Sequence, residues 1–387
     1  MYRHLWSNAP KECLEYADYS FDHHFQKPIP SFLPRHMIRD YIAGRARQSN
    51  VQRLIRFNTV VRFVDFDNDK ERFVLRFTDL VTTKDFSEHF DYVIVAVGHF
   101  SMPNVPHFKG IDRFSGRVIH SHDFRDAKQF AGQNILVVGG ALSAEDIALQ
   151  CYKFGAKAVT ISYRTKPFDY DWPPEIEELP LLDYIDGQVV SFTDGSNRNI
   201  DSIILCTGYK HHFPFLAENL RLVTKNRLYP GQLYKGVFFQ EQPRLVYLGM
   251  QKFYYSLPFF DAQAWYVRDV ILGRIALPSA AKRANDMKFW QKREEVLNGR
   301  FEGIDFQVAY AKELLDVTDY PHVDLITAAD MFKTGQLHKQ ENILKFRDKL
   351  FTSTFTGTSA STTVPWIEAK DEDQLMPKDI ESTTPFL

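Results

Sequence analysis

Cysteine is scarce, and what there is has no pairing pattern. Cys13, Cys151 and Cys206 are scattered over 387 residues, with no Cys-x-x-Cys and no ligand spacing. A disulfide framework, a zinc site and a redox dithiol are thereby excluded, and buried free thiols in a reduced compartment are expected. No apolar run approaches the ~18 residues of a membrane span and no signal peptide is recognisable, so the expected location is cytoplasmic. Charge of one sign is missing too. The 47 Lys and Arg against 49 Asp and Glu leave a net charge of −2, which offers nucleic acid no basic surface. The four arginines between Pro34 and Arg47 read as the solvated face of a helix. There is no internal repeat, no Ser-His-Asp set and no paired carboxylates. His120, His211 and His212 read as packed or hydrogen-bonded histidines rather than as metal ligands, with His120 bracing a linker.

What is present suffices for two domains with a sizeable core, since 44% of the residues are hydrophobic. Residues 1–33, rich in aromatics and proline, read as irregular structure over a core. Met37, Ile38, Tyr41 and Ile42 have helical spacing, which predicts a helix from Pro34 to Arg47. Strands are predicted at Leu54–Val64, Phe73–Thr78 and Phe86–Phe90, with Asp67-Asn68-Asp69 as the first turn. The continuously apolar Tyr92–Val97 should be a parallel strand covered on both faces. It ends in Gly98-His99, and the similar run Ile203–Leu205 leads to Thr207-Gly208-Tyr209. Two such strand ends flank an insert, as two crossovers between domains would. Strands around Val237 and Leu245–Gly249, a helix from Asp261 to about Gly273, further helices to about Phe351 and a loose Ser/Thr-rich loop at Thr352–Thr363 complete the chain.

Between the flanks lies a strand, Ile135–Val138, a small-residue turn, Gly139-Gly140-Ala141-Leu142-Ser143-Ala144, a helix from Glu145 to about Phe154, and a strand, Val159–Tyr163. This is the form of a dinucleotide-binding βαβ unit. Gly139 takes the tight-turn place of the glycine fingerprint, whereas Ala141 and Ala144 take the second and third places. Arg164 and Thr165 follow the second strand, 25 residues after Gly139, where an Arg suits a 2′-phosphate. NADPH is therefore expected over NADH.

Upstream, Phe114-x-Gly116-x-x-x-His120-x-x-x-Phe124-Arg125 is similar to the signature that flavin-containing monooxygenases carry just before their NADPH domain. Related Baeyer–Villiger enzymes have Trp at the last place, so Phe124 points to the first group. Asn8-Ala9-Pro10-Lys11-Glu12 resembles the family's Asn-x-Pro-Lys-Glu segment, and Thr207-Gly208-Tyr209 its second linking motif. His211–Phe215 and Phe260–Tyr266 resemble the bacterial-type trimethylamine monooxygenases in particular. The resemblance covers nearly the whole chain.

It implies an α/β, two-dinucleotide-binding-domain flavoprotein fold. A Rossmann-like FAD domain would span 1–125 and 211–387, with an inserted NADPH domain at 126–210. It implies FAD and NADPH as cofactors and O2 as oxidant. The oxygen is passed from a C4a-hydroperoxyflavin to a small tertiary amine, such as trimethylamine, or to a sulfide. Asn8 would be the polar side chain with a direct role, and Trp6 would wall the nicotinamide. Gly139 to Ala144, with Ser143 at the helix N-terminus, would meet the pyrophosphate, and Arg164 and Thr165 the 2′-phosphate. Asn226 and Arg347 would also reach NADP, and Val61 and Gln251 would touch FAD. A homodimer is one option for its assembly. Two departures stand out. The family's FAD pyrophosphate loop would lie before Met1, so the chain is expected to be N-terminally truncated. Leu142, Lys252 and Gly335 stand where the trimethylamine enzymes tend to have Tyr, an acid and an aromatic. A flavin-free, inactive NADPH-binding remnant is the alternative expectation.

Overall fold

The centre of the nucleotide unit is a strand with no polar position to spare. Ile135, Leu136, Val137 and Val138 are all buried, which a strand covered on both faces requires. In the computed structural model, which describes residues 1–254 and 256–370, this strand, Asn134–Val138, lies in the middle of a five-stranded sheet. The order is Arg117–His120, Ser202–Leu205, Asn134–Val138, Ala158–Ser162, Ile176–Leu179, and every pairing is parallel. Ile135 and Val137 point to one face, with Ala144, Ile147 and Ala148 of the following helix. Leu136 and Val138 point to the other, against Leu182, Ile185, Val190 and Phe192 of a three-stranded antiparallel sheet. Each such buried aliphatic contributes about 1.5–3 kcal/mol. The sheet takes its edge strand from Arg117–His120, ahead of the expected 126–210 span.

The helices are α1 (Phe21–Phe25), α2 (Arg35–Gln48), α3 (Leu142–Lys153), α4 (Leu257–Ile271), α5 (Ala280–Glu295), α6 (Arg300–Leu315) and α7 (Leu325–Glu341). Helix α2 follows Pro34 and buries Met37 and Tyr41, while Ile42 faces outward. Helix α3 begins at Leu142, three residues before the expected Glu145, because Ala141 is already the extended N-cap. Helix α4 begins at Leu257 rather than Asp261, with a proline in its first turn, where the missing N–H costs nothing. The first antiparallel strand runs Thr59–Asp67, not Leu54–Val64, since Val51–Leu54 closes a short 3-10 turn.

One expectation of coverage is corrected. The strand within Tyr92–Val97 is only Val93–Val95, and it lies at the edge of a four-stranded sheet, paired in parallel with Leu245–Tyr247. Ile94 is 45% exposed because no described element packs on its outer side. Its apolar run looked like a doubly covered strand, but only one face is covered.

The two linkers pair with each other. Met102–Pro103 and Tyr209–Lys210 form a short antiparallel ribbon, and Asn104 N–H donates to Gly208 O at 2.9 Å. Gly98 and Gly208 both have positive φ, so each strand end turns sharply into the ribbon. The Ser/Thr-rich loop after Phe351 has no helix or strand, as expected, but it is not loose. Ser353 is buried and donates to Glu15, and Trp366 and Ala369 are buried against α3. The part of the expected 211–387 span beyond residue 370 lies outside the described residues.

Candidate active site

Gly139 is required where the first strand turns into α3. A Cβ there would lie 2.4 Å from Cys206 O, on the neighbouring strand's exit. Its N–H donates to Ser162 O at 2.9 Å, which locks the turn between three strands. Gly140 is different: a Cβ there would meet nothing nearer than 3.7 Å. Gly140, Ala141 and Ser143 are exposed, and with Leu142 they line a cavity of about 630 Å³. Ala144 is buried under the helix. No side chain among the described residues caps α3. Ala144 N–H donates to Ala141 O at 2.9 Å, and the amides of Leu142 and Ser143 are left to present the positive end of the helix to the cavity. An anion is stabilised at such an end.

The other walls of that cavity add positive charge. Arg125, Lys252 and Arg300 line it, and among the described residues none forms an ion pair with a carboxylate. Arg125 donates to Phe124 O at 3.1 Å, and Arg300 donates to Gln336 Oε1. Arg164 and Thr165 are exposed just beyond the strand Ala158–Ser162, next to the one that leads into α3. Neither of them lines that cavity. The chemistry of the donors fits a phosphorylated dinucleotide: helix amides for a diphosphate, and the exposed guanidinium of Arg164, just past the neighbouring strand, for a further phosphate.

A second cavity, of about 810 Å³, opens beside Trp6, Ser7 and Asn8 and is floored by Ile38, Ile42 and Ala43 of α2. Asn8 is half-buried in its wall, with no hydrogen-bond partner for its side chain among the described residues. Its backbone is held by Ser7. Ser7 N–H donates to Leu33 O at 2.8 Å, Ser7 Oγ accepts from Leu33 N–H at 3.0 Å, and Ser7 O accepts from Arg347 Nε at 3.2 Å. Among the described residues the indole N–H of buried Trp6 also has no partner. A mostly apolar slot with two unsatisfied donors at one side fits a flat heteroaromatic ring bearing acceptors. Met1, Leu5, Phe100 and Tyr254 line both cavities, so the two adjoin.

At the linkers His99 and His211 stack with ring centroids 4.6 Å apart. His99 Nδ1–H donates to Gly249 O at 3.1 Å, and His211 Nε2–H donates to Met250 O at 3.1 Å. Burial, then the neighbouring His211, pushes the His99 pKa down to about 4, and burial lowers that of His211 as well. His120, buried, packs edge-on against Tyr209 and accepts from His122 N–H, so it does brace the second linker.

The remaining candidates are dispersed. Asn226, Leu142 and Lys252 line the first cavity. Gly335 is buried, and a Cβ on it would lie 3.6 Å from Pro10. Gln251 is buried in a network with Gln263 and Tyr310. Val61 lies on the antiparallel sheet, partly exposed, and lines neither cavity. Arg347 is buried behind α3, where its Nη2 donates to Asp146 at 2.5 Å. Sequence reasoning passed over Arg300 and Gln336, which belong to no motif. It also passed over Lys339, whose ammonium meets Glu145 at 2.6 Å. The one local signal is the pair of acids near the start of a helix suited to an anion, Glu145 in its first turn and Asp146 just after it.

An inserted parallel nucleotide unit, two paired linkers and two adjoining cavities define a flavoprotein with two dinucleotide-binding domains. The chain belongs to the flavin-binding monooxygenase-like family, whose sequence pattern matches residues 1–168 and 181–325. It is 54% identical over 373 residues to the trimethylamine monooxygenase of Methylocella silvestris, covering 96% of this chain and 83% of that protein. It is 49% identical to the trimethylamine monooxygenase of Pelagibacter sp., covering 96% and 84%. The crystal structure of Tmm from Pelagibacter sp. strain HTCC7211 superposes with a TM-score of 0.94 at 48% identity, over 97% of this chain and 86% of that one. S-allyl-L-cysteine S-oxygenase from Allium sativum superposes at 0.78 with 26% identity, over 90% and 81%. Similarity of this extent does not favour an inactive, flavin-free reading. No helix among the described residues is long and apolar enough to cross a membrane.

Proposed function

We propose that the chain is an NADPH- and FAD-dependent monooxygenase of the cytoplasm that converts trimethylamine, or a similar small tertiary amine, to its N-oxide. Small sulfides are the second substrate class. The observation that carries this reading is the junction of the two cavities: the helix end suited to a diphosphate and the slot beside Asn8 share Met1, Leu5, Phe100 and Tyr254. Two cofactors seated in them would meet at that junction. Bound flavin supplies the activation of O2, and NADPH supplies the electrons.

The chain's own residues bind, orient and exclude water. The turn Gly139–Ala144 with Ser143 would hold the pyrophosphate, Arg164 and Thr165 the 2′-phosphate, and Asn226 a further part of NADPH. Arg347 would act from behind α3. Trp6 would wall the nicotinamide, and Asn8 would donate its amide hydrogen to the reacting oxygen without releasing a proton. Val61 and Gln251 would support the flavin from outside the cavities. The insert around 126–210 would be the NADPH domain, and 1–125 with 211–387 the FAD domain.

The methyl groups of trimethylamine suit an apolar wall, and Phe253, Tyr254 and Phe332 supply one. Trimethylamine-dependent NADPH oxidation with stoichiometric N-oxide, by protein carrying bound flavin, tests the proposal. Flavin-bound protein that oxidises neither trimethylamine nor a dialkyl sulfide would overturn it.

A further inference from the structure

Helix α3 has a local conflict in its charges. Acidic residues in the first turns of a helix stabilise that helix, but they compete with any external anion for the same positive end. Glu145 and Asp146 occupy this position on α3, and both are buried. Neither is left with its charge uncompensated. Glu145 Oε1 accepts from Lys339 Nζ at 2.6 Å, and its Oε2 accepts from Tyr170 OH at 3.1 Å. Asp146 accepts from Arg347 and from Tyr2 OH. Both cations come from the far end of the chain, Lys339 from α7 and Arg347 from the 3-10 turn Phe346–Asp348, and both are fully buried.

Stability alone is a poor reason for such an arrangement. Burying two ion pairs costs desolvation that well-packed apolar residues would not incur. Burial opposes the charged form of both partners: it lowers the pKa of the Lys339 ammonium from its usual range, whereas for Glu145 the Lys339 charge and hydrogen bond outweigh it and hold the carboxyl below its usual range. With Arg300 beside them at the cavity wall, three cations face two acids, an excess of one positive charge at the α3 N-terminus.

We infer that Lys339 is a positioning residue for the nucleotide turn: it neutralises Glu145, so that the α3 amides are free to attract a diphosphate. Docking of α7 is thereby coupled to nucleotide affinity. The inference rests on the NADPH reading above.

The test is the NADPH dissociation constant, read from nicotinamide fluorescence, beside the urea unfolding midpoint, for the wild type, Lys339→Met, Glu145→Gln and the double variant. Each single variant leaves a buried charge unpaired, so both midpoints should fall. The affinities should part. Lys339→Met leaves an acid near the diphosphate and should weaken NADPH binding about tenfold. Glu145→Gln leaves a cation there and should hold affinity or tighten it severalfold. The double variant should return to within about twofold of the wild type. Affinity that falls in both single variants, in step with stability, would overturn the inference and leave a purely structural clamp. If Lys339→Met does not fold, Glu145→Gln decides alone, since weaker binding in it has the wrong sign. Wild-type protein that binds no NADPH overturns the cofactor reading, and this inference with it.

Discussion

The two glycines of the nucleotide turn are adjacent but have opposite surroundings, and substituting each by alanine should separate folding from binding. In Gly139→Ala the new methyl would sit 2.4 Å from Cys206 O and 3.0 Å from Cys206 Cβ. The first of these is backbone at the exit of a strand paired in parallel on both sides, held there by Cys206 N–H donating to Val138 O at 2.8 Å, so it has little room to move. Overpacking of this kind costs about 1–3 kcal/mol, and the φ of +156° at Gly139 adds to it. Gly140→Ala meets nothing nearer than 3.7 Å, so its stability should change by less than about 0.5 kcal/mol. Yet Gly140 lines the cavity, and a methyl there would hold a diphosphate off the backbone amides. Urea unfolding and NADPH titration on the same preparations give both quantities. Gly139→Ala should lose stability and binding together, whereas Gly140→Ala should lose about tenfold in NADPH affinity with an unchanged midpoint. Equal midpoints for the two variants would refute the packing argument. Unchanged affinity in Gly140→Ala would place the diphosphate elsewhere.

Other outcomes follow from the same geometry. Arg164→Ala should raise KM for NADPH at least tenfold more than for NADH, and equal changes would remove the 2′-phosphate role from Arg164. Asn8→Asp should abolish oxygenation while NADPH binding stays within about twofold, because Asn8 lies in the second cavity and not at the nucleotide turn. The linker histidines give a pH dependence. The His99 pKa is depressed to about 4 from an ordinary 6.5, so only the unfolded chain takes up this proton between those values. Stability should be unaffected above about pH 6.5 and fall as pH drops toward 4, by about 2 kcal/mol after screening. His99→Gln should flatten that slope in urea melts at a series of pH values, and an unaltered slope would assign it to other groups.

The parts of the fold that could be read from the sequence are those set by short-range pattern. Ile135–Val138 with Gly139 and the runs ending at Gly98 and Gly208 mark the parallel βαβ unit and the two chain segments that pair beside it. The sequence places the start of α3 too late because Gly139–Ala144 reads as one small-residue turn, whereas the helix already begins at Leu142, after Ala141. Tyr92–Val97 was read as doubly covered because apolarity along a strand does not say which face has a neighbour. The first cavity was half legible. The turn and Asn226 came from motifs and resemblance, but Arg300 sits at an ordinary helix start. Lys339 is 194 residues from Glu145, and nothing local to either marks the pairing.

In the proposed reaction an oxygen atom passes from O2 to a substrate lone pair at the junction of the two cavities. Turnover of trimethylamine with NADPH under isotopically heavy O2, followed by mass spectrometry of the product, tests it most directly. Every N-oxide formed should carry one heavy oxygen, with one NADPH consumed for each. NADPH consumption that yields peroxide and no labelled N-oxide, from protein holding its flavin, would contradict it.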